Sequence, residues 1–124
     1  MRKFLLPLVI IVVTVFLIAG GVTALTKKEK QALGLPTNYE YYWSTTCRHC
    51  AKVQEFLDSW EGKDKLALDK KEIENFANST LLIKRASTCN IPTETVGVPF
   101  LFTPEGKCLV GDEPIIEFFK SLAL

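Results

Sequence analysis

Hydrophobic positions fall into two regimes along this chain, one unbroken run and then a periodic pattern. From Phe4 to Leu25 there is no charged residue, and Pro7, Thr14, Gly20, Gly21 and Thr23 are the only mild interruptions. At about 1.5 Å of rise per residue, a helix over this run would reach roughly 33 Å, enough to cross the hydrocarbon core of a bilayer. Residues 1–25 therefore read as a transmembrane anchor in contact with lipid over residues 4–25. A cleaved signal sequence is the competing reading, because Val22-Thr23-Ala24 offers small residues for a signal peptidase. Arg2 and Lys3 before the run resemble the start of an export signal, whereas Lys27, Lys28 and Lys30 follow it. The expectation is a single-pass membrane protein whose C-terminal domain lies outside the cytoplasm.

Residues 26–38 read as a linker, with Gly34 and Pro36 ending any short helix there. From Tyr39 onward the pattern is that of one globular domain, 39–124. Tyr39 to Ser44 is rich in β-favouring aromatics and predicts a strand. Cys50, Val53, Phe56, Leu57 and Trp60 recur at helical spacing and predict a helix from about Arg48 to Trp60. Lys65 to Ile73 predicts a more exposed strand. A second helix should start at Asn75 or Asn78 and run to Cys89, with Leu81, Leu82, Ala86 and Cys89 inward. Asn78-Ser79-Thr80 also matches a glycosylation sequon, but an ordinary helix cap is the simpler reading.

Val96 to Thr103, the turn Pro104 to Lys107, and Cys108 to Val110 predict a hairpin. Asp112 is expected to cap a last helix with Pro114 in its first turn and Ile115, Phe118, Phe119 and Leu122 as its buried stripe. The order β-α-β-α-β-β-α implies an α/β fold, a mixed four-stranded sheet with helices on both faces. It joins strands one and two by a right-handed crossover.

Composition narrows the chemistry. A formal net charge of +1 without a basic block gives no reason to expect nucleic acid as a partner. Four cysteines in 124 residues are too few for a disulfide scaffold, so a hydrophobic core must hold the domain. Two of them, Cys47 and Cys50, open the first predicted helix at the carboxyl end of a strand, where open α/β sheets place their sites. Unpaired N–H groups and the helix dipole favour a thiolate there, making Cys47 the nucleophile and Cys50 the residue that resolves a mixed disulfide. The single histidine, His49, lies between them, and with Arg48 it can place positive charge near Cys47. Such charge would stabilise the reduced form and make the disulfide more oxidising.

Together these residues resemble the thioredoxin superfamily, in particular its small glutaredoxin-like members, over nearly all of 39–124. The resemblance rests on Tyr42-Trp43 before the first cysteine, Cys47-Arg48-His49-Cys50 opening a helix, Val98-Pro99 at the third strand, and Gly111-Asp112 before the last helix. It implies a cis proline at Pro99 facing the disulfide, with Val98 docking an extended substrate. It also implies thiol-disulfide oxidoreductase activity, oxidase, isomerase or reductase, on cysteine-containing proteins, with a membrane or soluble redox partner and no cofactor. The histidine between the cysteines resembles disulfide isomerases and periplasmic thiol oxidases. Two positions depart from thioredoxins proper: Tyr41 stands where they carry a buried acid, and Thr46 where they carry a tryptophan. Both count against a strong reductase.

Cys89 and Cys108 are expected near one edge of the domain. A structural disulfide, two buried thiols, and a second redox pair are the readings open to them. The alternative function is a thiolate module for copper or zinc on the same fold. It lacks a second Cys-x-x-Cys or a spare histidine for a closed zinc site, and Ala51 after Cys50 removes the haem-attachment pattern.

Overall fold

A computed structural model describes residues 26–123. The anchor reading of 4–25 lies outside these residues. Among the described residues no helix is long and apolar enough to cross a membrane. The elements are α1 (Lys27–Ala32), β1 (Tyr39–Trp43), α2 (Arg48–Ser59), β2 (Leu68–Glu72), α3 (Phe76–Thr88), a 3₁₀ turn (Thr93–Thr95), β3 (Phe100–Phe102), β4 (Cys108–Val110) and α4 (Asp112–Ser121). The strands form one mixed sheet in the order β2-β1-β3-β4. β1 pairs in parallel with β2, and β3 is antiparallel to both β1 and β4. This is an α/β domain compatible with a thioredoxin-like fold.

Alternation along β1 divides the core, because successive side chains of a strand point to opposite faces. Tyr41 joins Val53 and Leu57 of α2 and Ile115 and Phe119 of α4 on one face. Tyr42 joins Leu82 and Ala86 of α3, with Phe100 and Phe102, on the other.

Several boundaries differ from the sequence expectation for physical reasons. β2 is shorter than Lys65–Ile73 and has no fully buried residue, as suits a charged edge strand. β3 begins only at Phe100, since Pro99 has no N–H to give a ladder. Asn75, not Asn78, caps α3, its side chain accepting from the N–H groups of Ala77 and Asn78. Asp112 does not cap α4. Gly111 holds the N-cap position at φ 95°, a backbone region that glycine enters without strain, and Asp112 is the first helical residue.

Residues 26–38 are packed on the domain. Thr26 and Glu29 form a capping box at the start of α1. Leu35 packs into the α3-side core, Lys30 pairs with Glu105 at 3.4 Å, and the Gly34 carbonyl accepts from Arg85 at 2.6 Å.

Candidate active site

Tyr42 and Trp43 deliver the chain to the carboxyl edge of the sheet, and a turn brings Cys47 to the N-cap of α2. The turn is held by the Cys47 N–H donating to the Ser44 carbonyl at 3.3 Å. With φ −88° and ψ 110°, Cys47 stands just outside the helix, and its sulfur accepts from the Cys50 N–H at 3.1 Å. The sulfur thus fills the role a serine or aspartate oxygen plays at other helix starts. A thiolate here would gain from that N–H and from the dipole. Cys47 and Cys50 are joined in a disulfide, with Cα atoms 5.2 Å apart. Cys50 is 2% exposed whereas Cys47 is half-buried, so an incoming group meets Cys47 first.

The Val98-Pro99 peptide bond is cis. The Val98 carbonyl oxygen lies 3.5 Å from Cys47 Sγ, which brings residues more than fifty positions apart into contact. Behind Pro99, the Gly111 N–H donates to the Pro99 carbonyl at 2.9 Å and so ties the start of α4 to this segment. Space is open beside it: a Cβ added to Gly97 would meet nothing within 4 Å.

His49 turns to Asp112. Its Nδ1 is 3.0 Å from Asp112 Oδ1, and Lys52 Nζ is 3.1 Å from Oδ2 of the same carboxylate. The Lys52 ammonium first, and His49 after it, hold the Asp112 carboxyl below the usual carboxylate range. Arg48 is exposed at the start of α2.

Tyr41, at the position compared with the buried acid of thioredoxins, donates its hydroxyl to the Cys50 carbonyl at 3.5 Å. Burial pushes its phenol well above the ordinary tyrosine value, so it stays a neutral donor. The buried acid of β1 is its neighbour Glu40, which faces the other side of the sheet and is bound by Arg85. On the α2 side of the sulfurs an open cleft of about 150 Å³ is lined by Trp43, Ser44, Cys47, Cys50, Ala51 and Gln54. The Ser44 hydroxyl there donates to Glu74.

Cys89 and Cys108 form the second disulfide, with Cα atoms 6.3 Å apart. Cys108 is in register with Phe102, and Phe102 with Glu40 near the start of β1. Cys47 follows the other end of that strand. The two disulfides therefore sit at opposite ends of the sheet, and the second is not placed to exchange directly with the first. Nor do the four cysteines converge on one site. Among the described residues no group of three or more His, Cys, Asp or Glu side chains could hold a metal ion.

Ser44, Lys52 and Glu74 had no role in the sequence reading, and Asp112 had only that of a cap. The signal available for Asp112 was its place after Gly111 at the start of the last helix. The others are joined to the site by contacts that no local spacing encodes. A Cys-x-x-Cys pair at a helix start on such a sheet is compatible with redox function. Comparisons with family models, curated proteins and solved structures return no match.

Proposed function

We propose that the chain is a thioredoxin-like thiol-disulfide oxidoreductase that exchanges disulfides with cysteine-bearing proteins through Cys47 and Cys50. The observation that carries this reading is the surrounding of Cys47 Sγ: a helix N–H at 3.1 Å on one side and the Val98 carbonyl at 3.5 Å on the other. The first favours negative charge on sulfur, and the second brings extended backbone beside it, where a substrate strand can lie.

In the oxidising direction, a substrate thiolate attacks Cys47 Sγ, the Cys47–Cys50 bond breaks, and Cys50 leaves as a thiolate. A second substrate thiolate then attacks the substrate sulfur of the mixed disulfide and releases Cys47. The substrate dithiol loses two electrons and two protons; the protein gains the electrons and one proton on Cys50, and the second proton goes to solvent while Cys47 stays a thiolate. When a reducing redox partner keeps Cys47 and Cys50 as thiols, the same steps run backwards and the substrate disulfide is reduced. Val98 and Pro99 dock the substrate, and Arg48 and His49 tune the couple. The anchor reading of 4–25 adds a tether that holds the domain outside the cytoplasm, where substrates carry disulfides. Exchange of electrons with a membrane or soluble redox partner completes the cycle.

The test is trapping. A Cys50→Ser full-length chain should accumulate mixed disulfides through Cys47 with cysteine-bearing proteins, and a Cys47→Ser chain should not. Equal trapping by both variants would remove the assigned roles.

A further inference from the structure

We infer that Asp112 is a positioning residue of the redox site, which holds His49 and Lys52 on its carboxylate and thereby makes the couple less oxidising than the Arg-His dipeptide alone would set it. The inference rests on the proposed redox role of Cys47 and Cys50 and concerns the control of that site.

Asp112 is placed for this by two features already described. Gly111 turns the chain sharply at φ 95°, and its N–H is bound by the Pro99 carbonyl, so the first residue of α4 stands over the first turn of α2. The Asp112 side chain is only 13% exposed, whereas those of His49 and Lys52 are 62% and 59% exposed. A largely enclosed carboxylate thus draws two otherwise solvated side chains onto itself. His49 and Lys52 are three residues apart and so share one face of α2. With Nδ1 committed to Asp112, the ring is fixed in orientation and Nε2 is its remaining free nitrogen. The hydrogen-bond partner of the ring is Asp112 rather than the Cys47 sulfur.

The charges near this helix start can be named. Arg48, His49 and Lys52 come from α2, Asp112 and Glu113 from the start of α4, and Glu74 from the β2–α3 connection through Ser44. Asp112 is the one of these acids in contact with His49 and Lys52. Only the reduced form carries the Cys47 thiolate. Removing the Asp112 charge therefore stabilises the reduced form: it deletes a nearby negative charge and releases His49 and Lys52 from the carboxylate that holds them.

The experiment is a glutathione redox titration of the full-length chain, with thiolate absorbance of the reduced form followed against pH. Asp112→Asn should move the equilibrium threefold or more toward the reduced form, roughly 14 mV for a two-electron couple. It should also move the thiolate profile to lower pH. The shift should shrink in a His49→Ala/Lys52→Ala background, and Asp112→Glu, which keeps the charge, should stay near wild type. Lys52→Ala, on an exposed side chain, should shift the couple the opposite way, and it carries the test if Asp112→Asn does not fold. An unchanged potential and thiolate profile in Asp112→Asn, or an equal shift in the double background, would overturn the inference while leaving the redox reading intact. A wild-type chain with no reversible Cys47–Cys50 couple would overturn the redox reading itself, and the inference with it.

Discussion

Arg85 of α3 grips both carboxylate oxygens of Glu40 on β1, with Nε at 2.7 Å and Nη2 at 3.2 Å. Its third nitrogen donates to the Gly34 carbonyl, its guanidinium stacks over Phe102 at 4.9 Å, and the Tyr42 hydroxyl donates to the same Glu40 at 3.0 Å. Burial opposes the guanidinium charge, but Glu40 outweighs it and raises the Arg85 pKa. Taking away one partner of such a pair leaves the other charge buried and uncompensated. Arg85→Ala should therefore cost about 3–5 kcal/mol of stability, and Arg85→Lys, which cannot form the fork, an intermediate amount. Urea denaturation of the oxidised chain measures both, and a loss below 1 kcal/mol for Arg85→Ala would show the pair to be expendable.

The Cys89–Cys108 disulfide closes a loop with a sequence separation of 19 and ties the end of α3 to the edge strand β4. Chain-entropy reasoning puts its contribution at about 3 kcal/mol. Cys89→Ser/Cys108→Ser should lose roughly this much in urea, while the glutathione equilibrium of Cys47–Cys50 stays within twofold of wild type. A large change in that equilibrium would couple the two disulfides and revive a relay between them.

Asp112 also bears on acid stability. Its folded-state pKa is lowered by Lys52 and His49, so its contribution is present at neutral pH and is lost as pH falls through the depressed folded value. The wild-type domain should lose stability over the acidic carboxylate range more steeply than Asp112→Asn. Parallel curves for the two proteins, followed by denaturation at a series of pH values, would contradict this assignment.

Open space at Gly97 separates docking from chemistry. A bulky side chain there meets no wall of the protein but occupies the room an incoming strand needs beside Val98. Gly97→Phe should lower kcat/KM for oxidation of a dithiol protein on the order of tenfold, with the glutathione equilibrium unchanged. Retention of full activity would place the substrate elsewhere.

Much of this was legible in the sequence because it is local. Aromatic β1, the apolar stripe of α2, and the succession Val98-Pro99, Gly111-Asp112 each express a preference carried by neighbouring residues, and together they order the fold. What was not legible depends on the sheet bringing distant residues together. Glu40 and Arg85 are 45 residues apart, His49 and Asp112 are 63 apart, and Ser44 and Glu74 are 30 apart. Spacing alone suggested His49 would serve Cys47, its neighbour on the helical turn. The carboxylate of Asp112, 63 residues on, is its hydrogen-bond partner, which no local spacing could show. Residues 26–38 read as a linker on Gly34 and Pro36, and the packing of Leu35 and of the Gly34 carbonyl was not legible because their partners come together only once α3 and the β3–β4 hairpin are assembled.

The oxidoreductase role is tested most directly by a redox titration of the wild-type chain in glutathione buffers, with each disulfide assigned by mass spectrometry after thiol alkylation. A reversible two-electron couple confined to Cys47 and Cys50 is expected, with Cys89–Cys108 remaining oxidised across the same range. No reversible couple at Cys47 and Cys50 would contradict it.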